Sequence, residues 1–303
     1  MAKFYPFSQM FFLLRIFSFL PTPLLHAIGW LLGWLVFLLS PSYRKRFLEN
    51  AHQAGFTFAQ VRPAIGHAGR MVAELPKVWT GPPVKVDLDH ASCQLLDQAW
   101  HAKQGVLFIT PHMGCFELAS QTVAQYWSDE RGPLTVLYRP ARKAFLAKML
   151  ESVRNRHGQQ AVPTDMSGVR AMLKSLRHGG SVGLLPDQVP PWGMGDWAPF
   201  FGKPAYTMTI AARMIQQTQP QVIMARCERK PYGLGYRLFL SSLELNPAAN
   251  QYELVHAINT AVEEQIRLCP EQYMWGYARY KSPRGMPDGS HHPQSIADIK
   301  SSS

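Results

Sequence analysis

Residues 106–120, VLFITPHMGCFELAS, decide how this chain folds. The run 106–110 reads as a buried strand stopped by Pro111; His112 follows, and Glu117 comes after four intervening residues. Five positions along a helix rotate a side chain by about 140°, so the two side chains diverge if both lie in regular helix. They converge if His112 sits in the loop off the strand and Glu117 lies in the first turn of a helix opening near Gly114. Such a loop aims the backbone N–H groups of residues 113–115 and the positive end of the helix at a bound group, which favours developing negative charge. A neutral imidazole takes a proton from an alcohol, and a carboxylate behind it fixes the tautomer. The same spacing also suits a histidine that caps a strand and a glutamate that favours a helix N-terminus.

Two further blocks repeat the pattern. The apolar run 134–138 ends at Arg139, and GLLPDQ, 183–188, places Asp187 at the end of another strand. Three strands ending in His, Arg and Asp make a crevice at the carboxyl edge of a sheet, where open α/β folds bind ligands. The following stretch, PPWGMGDWAPFFGKPA, is rich in glycine and aromatics. Its residues 192–201 either wall an apolar pocket or pack a loop onto the core.

With PHMGCFELA, LYRPARK, LPDQVPPWGMGDWAPFFGKPA and QYMWGYARYK in this order, the chain resembles the lysophospholipid acyltransferase superfamily, and within it the lauroyl/myristoyl acyltransferases of lipid A assembly. The resemblance runs from about Arg44 to Lys281. Glu117 takes the acidic place of the family's His-x-x-x-x-Asp/Glu motif, while the C-terminal block departs from the family pattern, with Trp275 followed by Gly-Tyr-Ala-Arg-Tyr-Lys.

The resemblance implies a glycerolipid acyltransferase-like α/β fold and acyl transfer, without a metal or other cofactor, from acyl carrier protein or acyl-CoA to a hydroxyl of a phosphorylated glycolipid. It makes His112 and Glu117 a catalytic dyad, with Arg139 gripping phosphate or substrate, unless Arg139 only forms a structural ion pair. Asp187 pairs with Arg139, supports the dyad, or simply forms a turn after Pro186. Arg142, Lys143, Arg154 and Arg156 are either a solvated helix face or an extension of the substrate-binding surface toward lipid phosphates or an acidic carrier.

Composition bounds the rest. Thirty-one Lys and Arg against 20 Asp and Glu, a net charge of +11, call for an anionic partner. No nucleic-acid motif accompanies the charge, so anionic membrane lipid or an acidic carrier fits better. Cys93, Cys115, Cys227 and Cys269 lack metal-ligand spacing, which suggests free thiols in a reducing compartment.

The apolar run 24–39 is about 24 Å long as a helix, short of a hydrocarbon core of about 30 Å. It reads as an anchor over 1–42, spanning or monotopic, that is separable near Ser42 from an acyltransferase domain over 43–282. By the positive-inside rule Arg44, Lys45 and Arg46 leave that domain in the cytoplasm, and the resemblance implies the cytoplasmic face of a bacterial inner membrane. Residues 283–303 are polar and are expected to be disordered.

Helical periodicity covers 58–79, 90–102, 116–125, 141–157, 165–178, 208–217 and 252–268; strand patterns cover 106–110, 134–138, 181–185, 222–226 and 236–240. The alternation predicts a mixed, mainly parallel sheet flanked by helices, with the last two strands as an antiparallel hairpin. Three other functions fit parts of the pattern. One is acylation of a lysoglycerophospholipid or aminolipid, another is a hydrolase using Cys115 or a serine, although no Gly-x-Ser-x-Gly elbow occurs, and the third is a non-catalytic membrane adaptor.

Overall fold

Proline placement divides the N-terminal third. The computed structural model describes residues 6–138, 155, 158–290 and 292–301, beginning with helices α1 (Pro6–Ser18), α2 (Thr22–Leu39) and α3 (Pro41–Gln53). The stretch 58–79, expected as one helix, is three: α4 (Phe58–Val61), α5 (Pro63–Ala73) and α6 (Leu75–Thr80). Prolines at the first turns of α5 and α6 explain the breaks, since the ring removes an N–H and restricts the residue before it.

The remaining elements are β1 (Val86–Leu88), α7 (His90–His101), β2 (Val106–Ile109), α8 (Phe116–Arg131), β3 (Leu134–Tyr138), β4 (Gln159–Pro163), α9 (Met166–Arg177) and β5 (Ser181–Leu184). They are followed by β6 (Gly195–Phe200), β7 (Lys203–Met208), α10 (Ile210–Thr218), β8 (Gln221–Arg229), β9 (Tyr236–Ser242), α11 (Gln251–Leu268) and α12 (Ile296–Ser301). Among the described residues, seven strands form one sheet in the order β1-β9-β8-β2-β5-β3-β4, and β6 and β7 form a separate antiparallel pair. All neighbours in the large sheet are parallel except β8 and β9, the expected hairpin. The polar β4 and the three-residue β1 had no apolar run to reveal them.

Strand β2 lies between β5 and β8 and is buried along its whole length, as a central parallel strand covered on both faces requires. The chain leaves β2 through α8, lays down β3 and β4, and returns through α9 to insert β5 beside β2. This reversal opens a crevice at the carboxyl ends of β2 and β5.

The expected anchor is not a detachable tether. Helix α2 buries Leu25, His26, Gly29, Gly33 and Phe37, and Phe37 shares a core with Phe47, Val61 and Ile65. Glycines bring the α2 and α5 backbones together: a Cβ at Gly33 would stand 2.1 Å from the Ile65 carbonyl oxygen, and one at Gly69 would stand 1.9 Å from that of Gly29. A cut near Ser42 therefore strips a core-forming helix from the domain. By length and composition α2 is able to cross a membrane, but one face is committed to α5; Leu31, Leu35, Leu38 and Leu39 on α2, like Phe12, Ile16 and Phe17 on α1, remain exposed.

The polar C-terminal tail, expected to be disordered, packs on the β6–β7 hairpin. Its Ile299 is buried in a cluster with Trp197 and Tyr206, and the His292 ring lies 4.4 Å from that of Trp197. The hairpin's aromatic rings supply a docking surface that the tail's own composition does not disclose.

Candidate active site

Register brings the central pair together. Ile109 of β2 lies opposite Leu184 of β5, and three residues beyond each stand His112 and Asp187. Asp187 Oδ1 is 2.6 Å from His112 Nδ1, and Oδ2 accepts the His112 backbone N–H at 2.9 Å. An ionised carboxylate only accepts, so it holds the imidazole proton on Nδ1 and leaves Nε2 as the basic nitrogen. The Phe116 ring meets the imidazole edge-on, with 5.0 Å between centroids.

Burial opposes ionisation of Asp187, but His112, through its charge and both hydrogen bonds, together with the Arg279 cation, outweighs it and lowers the carboxyl pKa below its usual value. Tyr273 donates a hydrogen bond to the same carboxylate; burial and that negative charge raise its phenol well above the normal range. Arg279 is itself buried, donating to the Tyr206 carbonyl at 2.9 Å and to Thr207 Oγ1 at 2.6 Å. Asn50 of α3 donates to the carbonyls of Trp275 and Tyr277, both at 2.7 Å, and so holds the segment carrying Tyr273 and Arg279. These two supporting residues lie within the QYMWGYARYK block noted in the sequence, where no spacing rule assigned them a role.

Glu117, expected to stand behind His112, occupies the first turn of α8 and lines the same cavity as His112. The carboxylate seated on Nδ1 is that of Asp187, the partner that the sequence left among several alternatives. Arg139, Arg142, Lys143, Arg154 and Arg156 lie outside the described residues.

The amides of residues 113–115, read from the sequence as anion donors, are already engaged. Met113 N–H donates to the Pro111 carbonyl at 2.8 Å, Gly114 N–H to Gln272 at 3.0 Å, and Cys115 N–H to Cys227 at 2.8 Å. The loop is instead fastened to β8 and to the turn before Tyr273. Gly114 is required there, because it has φ +53° and a Cβ would lie 1.9 Å from the Cys227 carbonyl oxygen.

A cavity of about 320 Å³ runs from His112 into the fold between α8 and the sheet. Thr110, His112, Glu117 and Gln188 line it together with the apolar Phe108, Val123, Leu134, Val136 and Ala225, and with Gly183. The aromatic stretch 192–201 takes the other of its two readings and packs as a hairpin: Trp197 lies against Tyr206, and Phe200 and Phe201 lie against Tyr280 and Trp275.

Cys115 is buried, and burial together with the Glu74 charge raises its thiol pKa well above the ordinary value. It is therefore held as a thiol, unlike the thiolate of a nucleophilic cysteine.

Sheet and pair together define the class: an α/β protein in which a strand-end histidine, backed by a buried carboxylate, opens onto an apolar cavity. The chain belongs to the bacterial lipid A biosynthesis acyltransferase family, which it matches over residues 3–282. It is 28% identical to the lipid A biosynthesis lauroyltransferase of Escherichia coli (strain K12) over 188 residues, 61% of this chain and 59% of the relative, so that match spans less than two thirds of the relative's length. Identity to the palmitoleoyltransferase of the same strain is 22%, over 71% of this chain and 69% of that protein. A lipid A biosynthesis acyltransferase of Haemophilus influenzae is 22% identical over 87% of this chain and 86% of its own.

Proposed function

We propose that this protein transfers a fatty acyl group from an acyl thioester to a hydroxyl of a phosphorylated lipid A precursor. The observation that carries the reading is the largely apolar cavity with His112 and Glu117 on its wall and Asp187 hydrogen-bonded behind His112. His112 Nε2 takes the hydroxyl proton as the oxygen attacks the thioester carbonyl; the C–S bond then breaks, and the imidazolium returns the proton to the leaving thiolate. Asp187 fixes the tautomer and stabilises the imidazolium. Glu117 is a second carboxylate beside the reacting groups, and the apolar depth takes the acyl chain. Transfer is direct on this reading, and Cys115, a buried thiol that donates to Glu74, is not its nucleophile. The net charge of +11 favours an acidic carrier protein or coenzyme A as donor and a phosphorylated acceptor.

The exposed apolar faces of α1 and α2 rest on the bilayer as a monotopic anchor, with exposed Lys45 nearby. On this reading the site faces the cytoplasm at the bacterial inner membrane, the side that the basic residues Arg44, Lys45 and Arg46 favour. The test is His112→Ala, assayed by mass spectrometry for transfer from acyl carrier protein to lipid A precursor. A loss of about 10²- to 10⁴-fold is expected with the fold intact by circular dichroism; a folded variant at the wild-type rate removes the reading.

A further inference from the structure

Four buried polar side chains that do not line the cavity converge on Glu74, between α5 and α6. Arg229, the last residue of β8, donates Nε to Glu74 Oε2 at 2.9 Å and Nη2 to Oε1 at 2.5 Å. Tyr236 of β9 donates its hydroxyl to Oε2 at 3.0 Å, and His26 Nε2 of α2 lies 3.2 Å from the same oxygen. The fourth is the Cys115 thiol, which also hydrogen-bonds the carboxylate. Although burial alone raises the Glu74 pKa, Arg229 and these hydrogen bonds overcome it and lower the value to about 2.

The same guanidinium reaches the catalytic loop: Arg229 Nη2 donates to the Gly114 carbonyl at 2.7 Å. Its main chain exchanges two hydrogen bonds with the Gln272 side chain, and the Gln272 carbonyl accepts the Gly114 N–H. Both charged side chains of the ion pair are 1% exposed. An apolar pair of similar volume serves stability as well as a buried ion pair does, but it cannot grip a carbonyl and a thiol on a neighbouring turn.

We propose that Glu74 and Arg229 are positioning residues: their ion pair, joined to the anchor helix through His26, holds the Gly114–Cys115 turn and so sets where His112 and Glu117 stand relative to one another. The inference rests on the reading of His112 as the base. It also assigns α2 a part in shaping the active site, beyond contact with lipid.

The test replaces the pair by an apolar one, Glu74→Leu with Arg229→Met, and separately keeps the charge but loses the planar fork with Arg229→Lys. The double variant is expected to stay folded but to melt below the wild-type temperature, because Tyr236, His26 and the Gly114 carbonyl lose their partners. Its kcat is expected to fall about 10- to 100-fold by loss of geometry, with KM for donor and acceptor nearly unchanged. Arg229→Lys is expected to show the same split. Introduced into a His112→Ala background, the double substitution is expected to cause no further loss, because the base it positions is already gone. A folded variant with wild-type kcat, or an equal proportional loss with and without His112, overturns the proposal. If the double variant does not fold, Arg229→Lys decides on the same criteria; if neither folds, the pair is structural and the proposal falls. Full activity of His112→Ala would instead remove the functional reading itself, whereas an inactive His112→Ala beside fully active pair variants removes only the positioning role.

Discussion

Replacing Asp187 by Asn tests the site at its most specific point. The carboxylate is nearly inaccessible, its oxygens hold both the imidazole Nδ1 and the backbone N–H of His112, and Tyr273 donates to it as well. The substitution preserves shape, removes the charge, and turns one acceptor into a donor facing an N–H. With charge centres about 4 Å apart and an effective dielectric near 20, the lost attraction for a developing imidazolium is about 4 kcal/mol. At about 1.4 kcal/mol per tenfold, that is roughly a 10³-fold loss in kcat. The assay is initial-rate acyl transfer to a detergent-dispersed lipid A precursor, with melting temperature as the control for folding. In a His112→Ala background Asp187→Asn should cost nothing more, because the two act as one unit. Glu117→Gln leaves the Nδ1 bond in place, so its effect should persist beside Asp187→Asn. A folded Asp187→Asn enzyme within about threefold of wild-type kcat refutes the assignment of Asp187 as the orienting group.

Two other outcomes follow from the cavity and from the buried charges. At Gly183 an added Cβ would sit 3.2 Å from Val136 Cγ1 and 3.8 Å from Leu134 Cδ2. Gly183→Ala should therefore shorten the acyl pocket and move preference toward shorter donors, by about fourfold in kcat/KM for each methylene no longer buried, at about 0.8 kcal/mol each; an unchanged ratio between two donor lengths would show that the chain lies elsewhere. Glu74 has its carboxyl pKa lowered from 4.5 to about 2 in the folded state. Its contribution to stability is thus fully present above about pH 4.5 and is lost as pH falls toward 2, because the unfolded chain binds the proton first. Melting temperatures recorded down this range should fall more steeply for wild type than for Glu74→Gln, and parallel curves would contradict the shift.

Local pattern determined much of this protein. Apolar runs ending at Thr110 and Leu185 predicted strands that deliver His112 and Asp187 to loops, and the structure ends β2 at Ile109 and β5 at Leu184, with both residues just beyond. The mainly parallel sheet and its antiparallel hairpin were likewise legible, because period-2 and period-3.6 patterning depends on which faces are buried. What local pattern does not carry is adjacency. Residues 112 and 187 are separated by α8, β3, β4 and α9, and only the return of β5 to the side of β2 makes them neighbours. From sequence, the acid five positions away was therefore the natural partner for His112, and the one 75 positions away was not.

The same reason hid the anchor's place in the core. A run such as 24–39 reads as membrane-seeking because apolarity does not say what will cover it. Glycines at 29 and 33 acquire meaning only when α5 lies across them. Glu74 and Arg229, 155 positions apart, belong to no motif; only burial of both side chains at one point, with a carbonyl of the loop that carries His112 in reach, joins them to the site. Sequence thus determined which groups are delivered to strand ends and which faces are apolar, while tertiary structure decided which groups meet, since strand order and helix docking depend on long-range packing that no short window contains.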